Sequence, residues 1–250
     1  MARIHIENAS VSYFLRNKGD ASKTAERGAV GAQIVVGRRY LEITALRDIS
    51  LSLKDGDRVG LVGMNGSGKS TLLKLCAKAL AAQSGKVEIE GVVSPQFALG
   101  SGLRPTLSGR QNTELKCLYL GVPQSLIAER VEEVKGLSKL GGYFELPMNA
   151  YSAGMRSRLV MSLLRLVRGE ILIMDEWIGA ADPSVSGTIN ELQSQLIERS
   201  QILLLASHSK RVLADWVDTL VWVDRGEIRA HGKFDEVYKD YETWLQSRKQ

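Results

Sequence analysis

The residues Gly63-Met64-Asn65-Gly66-Ser67-Gly68-Lys69-Ser70 fit the pattern G-x-x-x-x-G-K-[ST] at every fixed position. Glycines at this spacing let the chain curl until successive N–H groups point inward, and such a cradle takes phosphate. Gly63, Asn65, Gly66, Ser67 and Gly68 would form its wall. Lys69 would reach the β- and γ-phosphates of a triphosphate, the Ser70 hydroxyl would ligate Mg²⁺, and Thr71 would bond the α-phosphate. A second stretch, Ile171-Leu172-Ile173-Met174-Asp175-Glu176, ends an apolar run in two adjacent carboxylates. Asp175 suits Mg²⁺ held mostly through water, and Glu176 suits orienting an attacking water. The plainer readings are a glycine loop with a chance lysine and two acids merely facing solvent. The loop's flanks, strand-like before and helix-like after, speak against the first. Lys69 speaks against the second, because a metal beside phosphate needs a carboxylate nearby.

Other candidates are single residues. Gln96, in Val93-Ser94-Pro95-Gln96-Phe97, carries an amide that reaches metal and water if its loop lies beside the phosphate; an ordinary loop glutamine reads the same way. His208 follows a buried-strand pattern and suits either a bond to the γ-phosphate or a satisfied structural role. Tyr13, beside Phe14, suits stacking on adenine or plain core packing. The stretch Tyr151-Ser152-Ala153-Gly154-Met155 puts a serine at a helix start with a glycine close behind. A hydroxyl, a glycine N–H and a helix N-terminus together make an anion site. The chain's own phosphate cradle is already at 63–71, so this second site is read as serving another copy. Ser152 and Gly154 of one chain would close over the γ-phosphate held by Lys69 of its twin, in a symmetric dimer sandwiching two nucleotides. Hydrolysis would loosen the pair, which makes a mechanical switch.

Positioning these groups requires strands that deliver loops and helices that carry them away. IHIENASVSYFL alternates as a strand, ALRDISLSLK and DRVGLVG are two more around the turn KDGD, and STLLKLCAKALAA has helical spacing. RNKGDASKTAERGAVGAQIV is polar and glycine-rich and reads as a long loop or insertion. In VSPQF the proline limits regular structure. Strand character fades from about 102 to 145, where helices broken at Gly121 to Pro123 and at Gly141-Gly142 form a candidate subdomain. Beyond it, strands ILIMDE and QILLLASHS alternate with helices, a hairpin turns at Asp224-Arg225-Gly226, and FDEVYKDYETWLQSRK closes the chain. This alternation predicts an α/β fold with a small antiparallel sheet to one side.

Bulk properties narrow the class. The chain has 250 residues, 44% of them hydrophobic, a size and composition for a folded core with a smaller inserted subdomain. The two cysteines, Cys76 and Cys117, form no paired motif, which favours a reducing compartment. The net charge of +5 is spread along the chain, without the basic-aromatic interleaving that single-stranded nucleic acid needs. The start MARIHIENAS lacks the apolar core of a signal peptide, and no run reaches the ~18 apolar residues of a membrane span.

Together the motifs resemble an ABC-type ATPase, the nucleotide-binding subunit of a transporter. GMNGSGKST resembles that family's Walker A loop, VSPQ its Q-loop, YSAGM its signature (usually LSGGQ), ILIMDE its Walker B strand with catalytic glutamate, GAAD at 179–182 its D-loop, and ASHS its switch histidine. The finer resemblance is to ATP-binding subunits that export capsular polysaccharide, O-antigen or teichoic acid. These typically carry YSSGM, a DEW followed by GxGD, an RVGLVGxNGxGKST loop and a long early insertion, like YSAGMRSRL, MDEWIGAAD, DRVGLVGMNGSGKSTLL and residues 16–43 here. Met155, Ala153 and Ala181 depart from the wider pattern; the methyl of Ala181, in place of glycine, would stiffen the D-loop. Some members add a glycan-binding C-terminal domain, and this chain resembles the capsule type that stops short of it.

The resemblance implies a P-loop NTPase core of the ABC ATPase type, with an antiparallel β subdomain and an inserted α-helical subdomain. Its parts would be 1–96, the first half of the core; 97–155, the helical subdomain; and 156–250, the second half. It implies ATP and Mg²⁺, with Lys69, Gln96, Glu176 and His208 at the reaction, Ser70, Gln96 and Asp175 on the metal, and Asp182 at the nucleotide, in a D-loop that contacts the partner. It also implies a homodimer, permease subunits docking on the helical subdomain, no nucleic acid, and a place at the cytoplasmic face of the bacterial inner membrane. A transporter for another solute and an iron-sulfur assembly ATPase share the single-core architecture. DNA-acting members separate the two motifs by long coiled coils, whereas Lys69 and Ser152 are close in sequence here.

Overall fold

The alternating inward side chains of Ile4, Ile6, Ala9 and Val11 build the first strand, β1, Arg3–Arg16. It is the centre of an antiparallel sheet ordered β2-β3-β1-β5, with β2 at Gln33–Val36, β3 at Tyr40–Lys54 and β5 at Ser84–Glu90. The register pairs Ile4 with Leu53 and Ile6 with Leu51 on one side, and Ile4 with Ile89 on the other. These details come from a computed structural model that describes residues 1–16, 33–36, 40–97, 102–175 and 186–248. The expected loop at 16–35 therefore ends in a strand: Ile34 pairs with Ile43, and the β-branched run QIVV extends the sheet.

The second sheet has the order β10-β9-β4-β8-β7-β6. Its members are β4, Arg58–Val62; β6, Val93–Gln96; β7, Ile171–Asp175; β8, Ile202–Ala206; β9, Thr219–Asp224; and β10, Glu227–Lys233. β4 runs parallel to β8 and β9, β7 runs parallel to β8, and β10 returns antiparallel beside β9. ILIM and ILLLA are buried at every position, as strands covered on both faces must be. The segment VSPQ is a strand despite its proline. It sits at the end of the sheet, where Pro95 need not donate to a further neighbour.

The chain divides into two compact units. The first, Met1–Pro95, Glu170–Trp177 and Gln201–Gln250, holds both sheets with helices α1, Lys69–Cys76; α6, Lys210–Trp216; and α7, Phe234–Ser247. Helix α1 is shorter than its apolar spacing predicts, because the chain turns left-handed at Lys78. The second unit, Gln96–Gly169 and Ile178–Ser200, is helical: α2, Gly109–Tyr119; α3, Gln124–Ser138; α4, Ala153–Ser162; and α5, Ser186–Arg199.

The helical unit packs Cys117, Val131, Val134, Phe144, Tyr151, Leu159 and Leu163 into one core. Its entry loop is held by Asn112, which is fully buried; its amide donates to the carbonyls of Arg104, Leu107 and Ser108 at 3.0, 3.1 and 3.0 Å, and its oxygen accepts from Arg104 N–H at 2.7 Å. Ser108 and Gln111 form a reciprocal cap at the start of α2. On the surface, Arg110 donates twice to Glu145, at 2.9 Å each, and once to Glu132 at 2.8 Å.

Phe144 is fully buried in this core, so Phe144→Ala should cost about 3–5 kcal/mol, read as a lowered urea midpoint. The hydrogen bonds from Arg110 and Lys135 hold the Glu145 carboxyl down to about 2. Being depressed on folding, it contributes stability fully above the ordinary carboxylate range of about 4 and loses it as pH falls toward about 2. Glu145→Gln should therefore flatten the acid side of a midpoint-against-pH curve over that window.

Candidate nucleotide site

Strand β4 lies between β8 and β9 and is buried from Val59 to Val62, so the loop after it leaves the middle of the sheet. The turn is tight because Gly63, Gly66 and Gly68 take φ of 151°, 77° and 113°. A Cβ on Gly63 would stand 2.2 Å from the Val223 carbonyl oxygen, and one on Gly68 would stand 2.8 Å from that of Ala45. Glycine is therefore required here by backbone angle and by close approach alike.

Lys69 opens α1 and is only 9% exposed. Its Nζ donates to the carbonyls of Gly63 at 2.7 Å and Met64 at 3.0 Å, which keeps a buried ammonium hydrogen-bonded. The Ser67 hydroxyl is buried without a hydrogen-bond partner. A buried polar atom left in this state asks for a ligand or water. Asn65, Gly66, Ser67, Gly68, Lys69, Ser70 and Thr71 line one side of a cavity of about 200 Å³; Asp175, Ala206, Ser207, His208 and Ala45 complete it. Asp175 and Ala206 are register partners in parallel strands, which is how residues distant in sequence reach one cavity.

The donor set fits a nucleotide with its metal. Among the described residues, no three His, Cys, Asp or Glu gather as a metal cage. One carboxylate, Asp175, and one hydroxyl, Ser70, beside a phosphate cradle suit Mg²⁺, which keeps several waters and shares phosphate oxygens.

The remaining candidates stand elsewhere. Tyr13 is not part of the cavity wall; its hydroxyl is 3.5 Å from that of Thr71. Gln96 is buried at the end of β6. Ser152 and Gly154 belong to the helical unit. Ser152 is the N-cap of α4, and its oxygen accepts from Met155 N–H at 3.2 Å. It is exposed, with the helix N-terminus behind it. Glu176 and Asp182 lie outside the described residues.

Sequence reasoning missed a support of the loop. Gly226, read only as a hairpin turn, donates its N–H to Ser67 O at 2.8 Å, while its carbonyl accepts from Arg47 N–H at 2.8 Å. It has a φ of 82°, and a Cβ there would meet Ala45 O at 2.8 Å. Tyr241 on α7 is buried, and burial raises its phenol. Tyr241 packs edge-on to Trp222 of β9 at 5.6 Å, and the Arg229 guanidinium lies 4.4 Å from the Trp222 ring. Cys76 on α1 is buried and its thiol is pushed up to about 12, which makes it an inert apolar filler. No sequence signal marks Gly226 apart from its turn.

The sequence profile of the family described as "ABC transporter" matches residues 46–179. The chain is 32% identical over 226 residues to a teichoic acids export ATP-binding protein, TagH, of Lactococcus lactis, covering 90% of this chain and 48% of that protein. It is 35% identical to the O-antigen export system ATP-binding protein RfbB of Myxococcus xanthus, covering 80% and 46%. It is 33% identical to the O-antigen export system ATP-binding protein RfbE of Yersinia enterocolitica, covering 91% and 97%. The chain thus spans about half the length of the first two relatives and nearly all of the third. Among solved structures, the ATP-binding cassette MJ0796, captured as a dimer bound to ADP and Pi, superposes with a TM-score of 0.66 at 19% identity, covering 92% of this chain and 98% of that one. The cbiO1 structure from Clostridium perfringens gives 0.64 at 18% identity, covering 97% and 93%. These likenesses establish the fold: a P-loop core with an antiparallel β subdomain and a helical insertion.

Lys69→Ala should weaken ATP binding by roughly 10- to 100-fold, the scale of a lost charge-assisted hydrogen bond. Gly226→Ala, outside the motif, should weaken it by a smaller factor through the Ser67 tie. Titration with a fluorescent ATP analogue measures both.

Proposed function

The chain belongs to the ABC transporter family, and from that membership we propose that it binds and hydrolyses MgATP as a homodimer, driving export of a cell-surface polysaccharide through a membrane permease. The observation that carries the reading is the cavity in which Lys69, Ser70, Asp175 and His208 stand together. The glycan class rests on the export proteins among its relatives.

In this reading Gly63 to Thr71 cradle the triphosphate, and Tyr13 lies beside the nucleotide. Ser70, Asp175 and Gln96 hold Mg²⁺, which when bound supplies positive charge against the phosphate oxygens. Lys69 transfers its Nζ donors from the Gly63 and Met64 carbonyls to the β- and γ-phosphates. Glu176 accepts a proton from the attacking water, while Gln96 and His208 orient water and γ-phosphate. The Ser152 oxygen is already an acceptor for Met155 N–H, which leaves its proton free to donate to the partner's γ-phosphate. Gly154 N–H adds a second donor, and Asp182 faces the partner across the interface. Negative charge developing on the transferred phosphoryl is thus met from two chains, so hydrolysis follows closure.

Of the expected parts, 1–96 would be the first half of the core, while the helical subdomain expected at 97–155 extends to Gly169 and takes in Ile178–Ser200, leaving less of 156–250 to the core. The helical subdomain is the dock for the permease. Leu118, Tyr119 and Leu126, at the end of α2 and the start of α3, are 56%, 60% and 38% exposed, an apolar patch suited to a partner. No helix among the described residues is long and apolar enough to cross a membrane. Attachment to the cytoplasmic face of a bacterial inner membrane would then run through the permease.

Glu176→Gln should preserve ATP binding, lower turnover by roughly 10²–10⁴-fold and accumulate a closed dimer on size-exclusion chromatography. Unchanged turnover would remove Glu176 from the water. Purification from native membranes should bring a permease with the chain; a dimer lacking any membrane partner would contradict the export reading.

A further inference from the structure

Tyr151, the residue before Ser152, makes two bonds that the chemistry at the nucleotide does not use. It is 4% exposed and packs in the helical unit's core beside Phe144 and Leu159. Its hydroxyl accepts from Gly109 N–H at 3.2 Å and donates to Tyr143 O at 2.8 Å. Gly109 is the first residue of α2, and its N–H is one of the donors a helix start leaves without an internal partner. A Cβ on Gly109 would stand 2.7 Å from this hydroxyl, so the glycine and the phenol are matched.

The same two segments are tied elsewhere. Met148 N–H donates to Leu107 O at 2.9 Å, Asn149 N–H to Pro105 O at 2.8 Å, and Ser108 bridges Pro147. The loop 104–108 is itself fixed by the buried amide of Asn112. Tyr151 is the last anchored position of this run. Ser152, next in the chain, is exposed, and its side-chain oxygen accepts from Met155 N–H within its own helix cap.

We propose that Tyr151 is a positioning residue for the signature serine: its hydroxyl clamps the start of α4 to the first turn of α2 and so fixes where Ser152 stands. The inference rests on the reading of Ser152 as the group that closes over the partner's nucleotide. Phenylalanine would keep the ring packing but leave the buried Gly109 N–H unpaired, while Tyr143 O would keep only its bond from Leu146 N–H, freeing the serine-bearing turn to shift.

The test uses the full chain carrying Glu176→Gln, with MgATP-driven dimerisation measured by sedimentation and monomer affinity measured with a fluorescent ATP analogue. Tyr151→Phe should raise the dimer dissociation constant roughly tenfold, the scale of one unpaired buried polar group, and leave monomer affinity within about twofold. Gly109→Ala, which pushes on the hydroxyl instead of deleting it, should act in the same direction. Ser152→Phe, run in parallel, should abolish dimerisation. If Ser152→Phe abolishes it while Tyr151→Phe dimerises like its parent, the clamp is refuted and the role of Ser152 stands. If Ser152→Phe also dimerises normally, the reading of Ser152 fails and the clamp falls with it. A loss of monomer nucleotide affinity in step with dimerisation in Tyr151→Phe would show a general structural defect and overturn the proposal.

Discussion

A buried ammonium has to be hydrogen-bonded, and Lys69 meets that demand by turning back on its own loop. Its bonds to Gly63 O and Met64 O hold the loop curled in the shape a phosphate needs. Much of the surrounding structure follows from that constraint. The curl needs glycine at 63, 66 and 68, and Gly63 presses so close to Val223 that no side chain fits. The β9–β10 turn then supports Ser67 through Gly226. A phosphate entering the cavity exchanges two neutral acceptors for anionic ones, a gain that requires little rearrangement of a loop already formed.

The second constraint acts in the helical unit. There a buried polar framework, Asn112 with the Tyr151 hydroxyl, joins the start of α2 to the start of α4. Such networks are useful only when fully satisfied, and both side chains have partners for their donors and acceptors here. The result is a serine presented at an exposed helix N-terminus on a stiff base. Presentation of this kind suits a surface that must meet a twin's nucleotide repeatedly and release it.

The phosphate loop was legible because its chemistry lies in one short string with strand and helix on either side. The Asp175 strand was legible for the same reason, and adjacent parallel strands carry it to the same cavity as His208. What the string could not show is pairing at a distance. β2 was hidden in a polar, glycine-rich stretch because QIVV becomes a strand only once β3 offers a register. Pro95 argued against a strand, yet the edge of the sheet accepts it. Gly226 reads as an ordinary hairpin glycine, since its bond partner Ser67 is far away in sequence. Tyr13, read as an adenine stacker or a core residue, places its hydroxyl beside that of Thr71 at the start of α1.

The central claim is that each active site is composite, with Lys69 from one chain and Ser152 from the other. Mixing purified Lys69→Ala and Ser152→Ala chains, each expected to be nearly inactive alone and neither adding bulk that blocks closure, measures this most directly. A mixed dimer holds one site with both defects and one with none, so ATP hydrolysis should recover to about a quarter of the unaltered level, the intact share after random pairing. A mixture as inactive as its two components would contradict the account.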